Sequence, residues 1–133
     1  MVIEAWNEIS EGSWIVPTVG DGYAYGQALA TTLGLPWTTT HTRRITVKRG
    51  RDHLVQGTVT VEDGWTPCAK ADLQIERESG TDWAPLGATA TKPDGSFRAR
   101  IATAGRYRFT VPTTSAYQQT CGAAISRTLI VRR

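Results

Sequence analysis

The spacing of apolar residues changes from a helical to a strand period part-way along the chain. Over Asp21–Leu33 apolar residues recur every four positions, which is the spacing of one face of a helix, and Gly34 is expected to end that helix. Ahead of it, Met1–Trp6 predicts a short buried strand and the Gly-, Ser- and Pro-containing stretch Asn7–Gly20 predicts a long loop. Residues 1–35 are therefore predicted to form a single strand–loop–helix unit.

From residue 43 onward apolar residues alternate with polar ones, which is the period of half-buried β-strands. Turn sequences rich in Gly, Asp and Pro separate the alternating segments. Seven short strands are predicted in this way, at Ile45–Lys48, Leu54–Val61, Ala71–Arg77, Pro85–Thr91, Phe97–Ile101, Tyr107–Val111 and Arg127–Val131. The fold class is therefore mainly β. A seven-stranded antiparallel β-sandwich over residues 43–133 is expected to follow a linker over residues 36–42.

The two parts of the chain differ in charge. Residues 1–42 contain no Lys or Arg and four acidic residues, whereas all 15 basic residues lie from Arg43 onward, together with eight acidic ones. The basic part is suited either to anionic polymers and cell-wall surfaces or to no more than a solvated surface. Because its bases are spread along the strands, no nucleic-acid partner is expected. The chain has no apolar run long enough to predict a membrane span.

The two cysteines, Cys68 and Cys121, predict one disulfide and an oxidising, extracellular location. Neither belongs to a Cys-x-x-Cys pair, and no histidine lies near either of them in the sequence, so no metal site and no cofactor are predicted. A disulfide between them would close a long loop and stabilise a domain with a thin core. Two unrelated free thiols are the alternative interpretation.

Two carboxylates, Glu8 and Glu11, lie three residues apart just after the first predicted strand. In a (β/α)₈ barrel the active site is built at this end of the strands. Glycoside hydrolysis needs two such groups, one protonated to donate to the leaving oxygen and one ionised. Close like charges and partial burial would separate the pKa values of the two groups. The alternative interpretation is a pair of solvated loop acids, which the spacing alone favours.

The surrounding run, AWNEISEGSWIVPTVGDGYAYGQAL, resembles the C-terminal signature of the endo-α-mannosidase-like barrels, namely glycoside hydrolase family 99 and the related WbsX-type proteins. The positions that carry the resemblance are Ala5, Trp6, Asn7, Glu8, Glu11, Gly12, Ser13, Ile15, Pro17, Gly22, Tyr23, Ala24, Tyr25, Ala28 and Leu29. The resemblance implies that Glu8 acts as a base on a neighbouring sugar hydroxyl and Glu11 as the general acid/base on the glycosidic oxygen. It also implies that Trp6 and Asn7 line the substrate site and that Trp14 stacks on a sugar.

By this resemblance residues 1–35 are a remnant of a (β/α)₈ barrel, its last βα unit. One such unit cannot close a barrel or build a sugar cleft, so we expect the chain to be inactive alone. The predicted function is that of the C-terminal fragment of a secreted glycan-processing protein. Its expected partners are a polysaccharide or oligosaccharide, with mannose-containing glycans among the candidates, and the missing barrel portion of the parent protein.

Residues 43–133 resemble a small Ig-like or prealbumin-like β-sandwich of secreted actinobacterial proteins. The segments that carry this resemblance are Val55–Val59, Gly64-Trp65 with Cys68, Gln74–Arg77, Trp83–Gly87, Asp94–Phe97, Ala104–Arg108 and Cys121. Trp65, Trp83 and Tyr117 are candidates for stacking on sugars, whereas the alternative is that Trp65 and Trp83 cap the ends of the core. His41 and His53 are expected to be linker and turn residues. Two alternatives for the function stay open: a non-catalytic carbohydrate- or cell-wall-binding module, and a structural spacer.

Overall fold

The computed structural model describes residues 24–34, 40–116 and 119–132. The chain divides into two compact units. The N-terminal unit comprises Met1–Thr39 with Tyr117–Gln119, and the β-domain comprises Thr40–Ala116 with Thr120–Arg133. The predicted first strand and the loop after it lie outside the described residues, so the barrel remnant stays a prediction.

In the N-terminal unit, helix α1 spans Ala24–Leu33 and lies within the predicted helical segment. Gly34 ends the helix as expected: it has a φ of +66°, and its N–H donates to the carbonyl oxygen of Thr31 at 3.2 Å. Leu33, which the four-residue spacing puts on the apolar face, is 46% exposed. Spacing alone therefore did not identify which residues of this helix are covered.

The β-domain is built almost entirely from strands. In chain order they are β1 Thr40–His41, β2 Arg43–Arg49, β3 Leu54–Val61, β4 Asp72–Ser79, β5 Asp82–Ala90, β6 Ser96–Arg100, β7 Gly105–Val111, β8 Thr114–Ala116, β9 Gln119–Cys121, β10 Ala124–Ile125 and β11 Leu129–Val131. The seven predicted strands overlap β2 to β7 and β11. The short strands β1, β8, β9 and β10 were not predicted, and β1 lies inside the stretch expected to be a linker.

Two antiparallel sheets make up the body of the domain. One has the order β2-β3-β6. The other has the order β5-β4-β7, with β10 and β11 paired in succession along the free edge of β7. Between β10 and β11, Ser126 keeps that edge bonded, because its N–H donates to the carbonyl oxygen of Phe109 and its hydroxyl accepts from the Phe109 N–H. A third, small sheet, β1-β9-β8, contains the parallel pair β1 and β9.

One hydrophobic core lies between the two main sheets. It is formed by alternate residues of β2, β3, β4, β6, β7 and β11 and by the residue after β6, namely Ile45, Val47, Val55, Val59, Leu73, Ile75, Phe97, Ala99, Ile101, Tyr107, Phe109, Val111, Leu129 and Val131. Phe97 of one sheet meets Phe109 of the other, with ring centroids 5.2 Å apart. The two sheets thus face each other across a shared core, as in a β-sandwich. Within the described residues, no helix is both long and apolar enough to cross a membrane.

Tyr107 joins the core to the connection between β6 and β7. Its side chain is fully buried, and its hydroxyl donates to the carbonyl oxygen of Thr103 at 2.9 Å, in the connection between β6 and β7. A tyrosine at the start of a strand that bonds back to the preceding corner is typical of Greek-key sandwiches. The bond ties the Tyr107 side chain to the connection through which the chain passes from one sheet to the other.

The predicted disulfide between Cys68 and Cys121 is present, so the interpretation of the cysteines as two free thiols was wrong. Their Cα atoms are 5.4 Å apart and the residues are separated by 53 positions. Cys68 lies in a short 3₁₀ turn, Thr66–Ala69, that follows β3, and Cys121 ends β9. The bond therefore ties the small sheet to the body of the domain.

Candidate functional site

The residues predicted from the motif to act in catalysis or substrate binding are Glu8, Glu11, Trp6, Asn7 and Trp14. All five lie outside the described residues, as does Tyr117. Their roles therefore stay predictions. The described residues of the β-domain offer three other places where polar or aromatic side chains gather.

The first cluster lies beside the disulfide. His41 is buried in β1, and its Nδ1 lies 2.5 Å from Oδ2 of Asp63. The imidazole stacks on the indole of Trp65, with ring centroids 4.4 Å apart and an angle of 14° between the planes. His41 was expected to be a linker residue, and instead it packs within the fold. Because the imidazole covers one face of the half-buried Trp65 ring, a sugar cannot stack on that face.

Asp63 organises the turn that carries Trp65. Its Oδ1 accepts the backbone N–H of Trp65 at 3.0 Å. That hydrogen bond, followed by the one to His41, holds the pKa of the Asp63 carboxyl below its usual value. The carboxyl is partly exposed, with 43% of its side chain accessible, so solvent screens much of this effect. The cluster has the features of a structural brace for the turn after β3.

Arg43 extends this brace. Its buried guanidinium donates to the carbonyl oxygens of Gly122, Pro112 and Cys121, at 2.6, 2.5 and 3.1 Å. Burial lowers the pKa of the group. These three bonds connect the start of β2 with the segments on either side of β9. They fix the backbone around the disulfide rather than present a cation to a ligand.

The second cluster surrounds Trp83 on the outer face of the larger sheet. The guanidinium carbon of Arg108 lies 4.5 Å from the centre of the Trp83 ring, and Nε of Arg108 donates to Glu76 at 2.5 Å. A second cross-strand ion pair joins Arg106 to Glu78 at 3.1 Å. Trp83 therefore lies outside the core and has one ring face covered by a cation. Four charges of this face are paired, Arg108 with Glu76 and Arg106 with Glu78.

The third place is the outer face of the sheet β2-β3-β6, where two rows of polar side chains cross the strands. Lys48 pairs in register with Gln56, which pairs with Arg98. One step along, Thr46 pairs with Thr58, which pairs with Ser96. Their neighbours along the strands, such as Val55 and Phe97, point into the core. Since side chains alternate between the faces of a strand, all six polar side chains point to the same, outer side.

These two rows form the floor of a groove of about 500 Å³, which we call the polar groove. Ala90, the last residue of β5, and Lys92, in the connection between β5 and β6, contribute to its wall. The hydroxyl of Thr89 donates to the carbonyl oxygen of Arg98 at 3.1 Å and so holds the end of β5 against the edge of β6. The position of the groove wall relative to its floor is thus held by a hydrogen bond to the backbone.

Two cations of the polar groove, Lys48 and Arg98, have no acidic partner among the described residues. Within the described parts of the chain, none of Lys48, Lys92 and Arg98 takes part in an ion pair. Asp94, in the turn between Lys92 and β6, is held by the hydroxyl and N–H of Ser96, which lower the pKa of its carboxyl. The Asp94 carboxylate also interacts electrostatically with Lys92 at that end of the groove. Lys48 and Arg98 therefore keep their charge available for a ligand, in contrast to Arg106 and Arg108 on the other sheet.

Sequence reasoning did not identify the polar groove. The alternation around Phe97 does place Arg98 on the solvent side of its strand. The rows, however, depend on the register of three strands, and β6 is far from β3 in the sequence. The one sequence feature that pointed toward it was the excess of basic residues from Arg43 onward, which suits anionic polymers.

No protein-family model matches the chain, and no curated protein matches its sequence. The resemblance of residues 1–35 to the endo-α-mannosidase-like barrels therefore rests on the motif residues alone. The resemblance of residues 43–133 to Ig-like or prealbumin-like domains likewise rests on sequence segments alone, from Val55–Val59 to Cys121.

Proposed function

We propose that this chain is the C-terminal part of a secreted glycan-processing protein, and that its β-domain is a non-catalytic module that binds a glycan in the polar groove. The observation that carries the proposal is the pair of polar rows across β2, β3 and β6, because they line a concave surface with amide, hydroxyl and cationic groups. Sugars present hydroxyl groups that both donate and accept hydrogen bonds. Amide and hydroxyl side chains match them in both respects.

Two further observations support the proposal. The motif around Glu8 and Glu11 favours a glycoside-hydrolase-like parent, whose barrel would supply the catalytic site. The disulfide supports a secreted protein, because such bonds persist in oxidising compartments. In this arrangement the β-domain holds the polymer near the barrel and takes no part in the chemistry.

The module is tested by binding of the whole chain to immobilised polysaccharides, with Thr58→Val as the informative variant. This change keeps the shape of a half-buried side chain in the centre of the hydroxyl row and removes its hydroxyl. We expect weaker binding by roughly threefold to tenfold, since a hydrogen bond contributes about 0.5–1.5 kcal/mol. Thr110→Val is the matched control, because Thr110 lies on the other sheet, on β7.

Retention of full binding by Thr58→Val, with the same affinity as Thr110→Val, would place the glycan elsewhere. If the chain binds no polysaccharide, the β-domain is a spacer. A spacer needs no ligand site, and the outer face of the larger sheet fits that role, because its paired charges and its covered Trp83 ring already contact one another.

The parentage is tested separately by sequencing the coding DNA upstream of Met1. We expect an open frame that encodes the other seven βα units of a barrel. The longer protein should hydrolyse an α-mannoside-type glycan, and Glu11→Gln should abolish that activity. A stop codon upstream in every isolate would contradict this part of the proposal.

A further inference from the structure

The cations of the polar groove carry an inference that rests on the proposed function and goes further. Lys48 and Arg98 lie at the two ends of one row, and Lys92 stands at the wall. Like charges gathered on one face repel one another, so they raise the free energy of the unliganded domain slightly. A neutral glycan would leave this arrangement unchanged, whereas an anionic one would relieve it.

From this we infer that the ligand of the polar groove is an acidic polysaccharide, whose sugar units carry carboxylate groups. Each strand is about 4.8 Å from the next, so the backbones that bear Lys48 and Arg98 are separated by roughly 10 Å. The two cations can therefore contact different acidic groups of one polymer. Gln56 between them and the hydroxyl row beside them contact the sugar hydroxyls.

Arg98 is suited to a carboxylate in particular. The guanidinium donates through two parallel N–H groups, which match the two oxygens of a carboxylate. In the described structure its side chain makes no ion pair that a ligand would have to displace. Arg108 on the opposite sheet has the same chemistry but is already committed to Glu76 and Trp83.

A nucleic acid fits the groove less well. Proteins that hold single strands combine cations with exposed aromatic rings on which the bases stack. The aromatic residue among those that line this groove is Phe97. Its side chain is buried, with 3% exposure, so its ring is not accessible for a base to stack on. The groove offers sugar-matching hydroxyls where a base would need a ring.

The experiment measures the affinity of the whole chain for polygalacturonate and for the fully methyl-esterified form of the same polymer. Mannan serves as a neutral glycan and a single-stranded DNA as a different polyanion. We expect polygalacturonate to bind at 0.1 M salt and the ester to bind at least tenfold more weakly. Raising the salt to 1 M should weaken polygalacturonate binding strongly, because the screening length falls from about 10 Å to about 3 Å.

The variants Lys48→Gln and Arg98→Gln should each weaken binding to polygalacturonate by about fivefold, as expected for one partly exposed charge. Arg106→Gln is the matched control: it makes the same change in net charge on the opposite sheet and should leave the affinity unchanged. All three positions are solvent-exposed, so the variants are expected to fold.

The outcomes with bound polysaccharide separate the acidic ligand from the glycan-binding module. The methyl ester or mannan could bind as tightly as polygalacturonate, with that binding weakened in Thr58→Val. This result overturns the acidic ligand and supports the glycan-binding module. Equal loss in Arg106→Gln overturns the groove as the acidic site, because the effect is then one of net charge. DNA binding as tight as that of polygalacturonate and equally sensitive to Arg98→Gln also overturns it. If no polysaccharide binds, both proposals fail together.

Discussion

The disulfide between Cys68 and Cys121 is expected to supply a large share of the stability of the β-domain. Cross-linking residues 53 positions apart restricts the unfolded chain. For a loop of that size the chain-entropy relation gives about 4 kcal/mol at 25 °C. The free energy of unfolding of a domain of this size is about 5–14 kcal/mol. Reduction should therefore remove between a third and most of the stability.

The measurement compares oxidised protein with protein that has been unfolded, reduced and refolded in reductant. Guanidinium unfolding followed by tryptophan fluorescence gives the free energy of unfolding and its denaturant dependence for each form. We expect reduction to lower the free energy of unfolding by about 3–4 kcal/mol. The m-value should rise, since the reduced unfolded chain exposes more surface.

Reduced wild-type protein is the better test than cysteine variants. Both cysteines are essentially fully buried, with 0% and 1% exposure, so alanine at either position would also leave a cavity. The reduced protein keeps the sulfur atoms and loses only the bond. A loss below about 1 kcal/mol with an unchanged m-value would show that the cross-link does not constrain the unfolded chain.

Three further predictions concern single residues. Tyr107→Phe should lower the free energy of unfolding by about 0.5–1.5 kcal/mol, because the carbonyl oxygen of Thr103 at the preceding corner loses its donor; an unchanged thermal midpoint would contradict this role. His53→Gly should raise the free energy of unfolding by about 0.5 kcal/mol, because His53 has a φ of +62° in the turn between β2 and β3; a destabilised variant would show that the imidazole contributes more than its backbone conformation costs. Asp63→Asn should destabilise the domain by less than about 1 kcal/mol at neutral pH, since the wild-type carboxyl is ionised and its pKa is lowered in the fold. That difference should vanish as the pH falls below about 4, through the lowered pKa of the folded state, so a difference that persists at pH 2 would exclude the charge as its cause.

The main strands could be predicted because each is half-buried. At Phe97–Ile101 and Tyr107–Val111 one side of the strand contacts the core and the other contacts solvent, so the sequence alternates with period two. The observed bounds of β6 and β7 differ from the predictions by one or two residues. The disulfide could be predicted as well, because a short β-domain with two cysteines has one possible pairing.

The short strands and the polar groove could not be predicted. A two-residue strand such as β1 has no period, and its place is set by Thr120 and Cys121, far along the chain. The cluster of His41 and Trp65 depends on that same pairing. The groove depends on three strands being in register, which hydrophobic alternation does not specify. The motif residues around Glu8 stay predictions because they lie outside the described residues.

The most direct test of glycan binding in the groove is an NMR titration of the isotope-labelled chain with a short oligogalacturonate. Binding in the polar groove should concentrate the amide shifts on β2, β3 and β6, with the largest changes at Gln56, Thr58 and Arg98. The side-chain signals of Trp83 should stay unchanged. Shifts that concentrate around Trp83 on the larger sheet, or no shifts at saturating ligand, would contradict it.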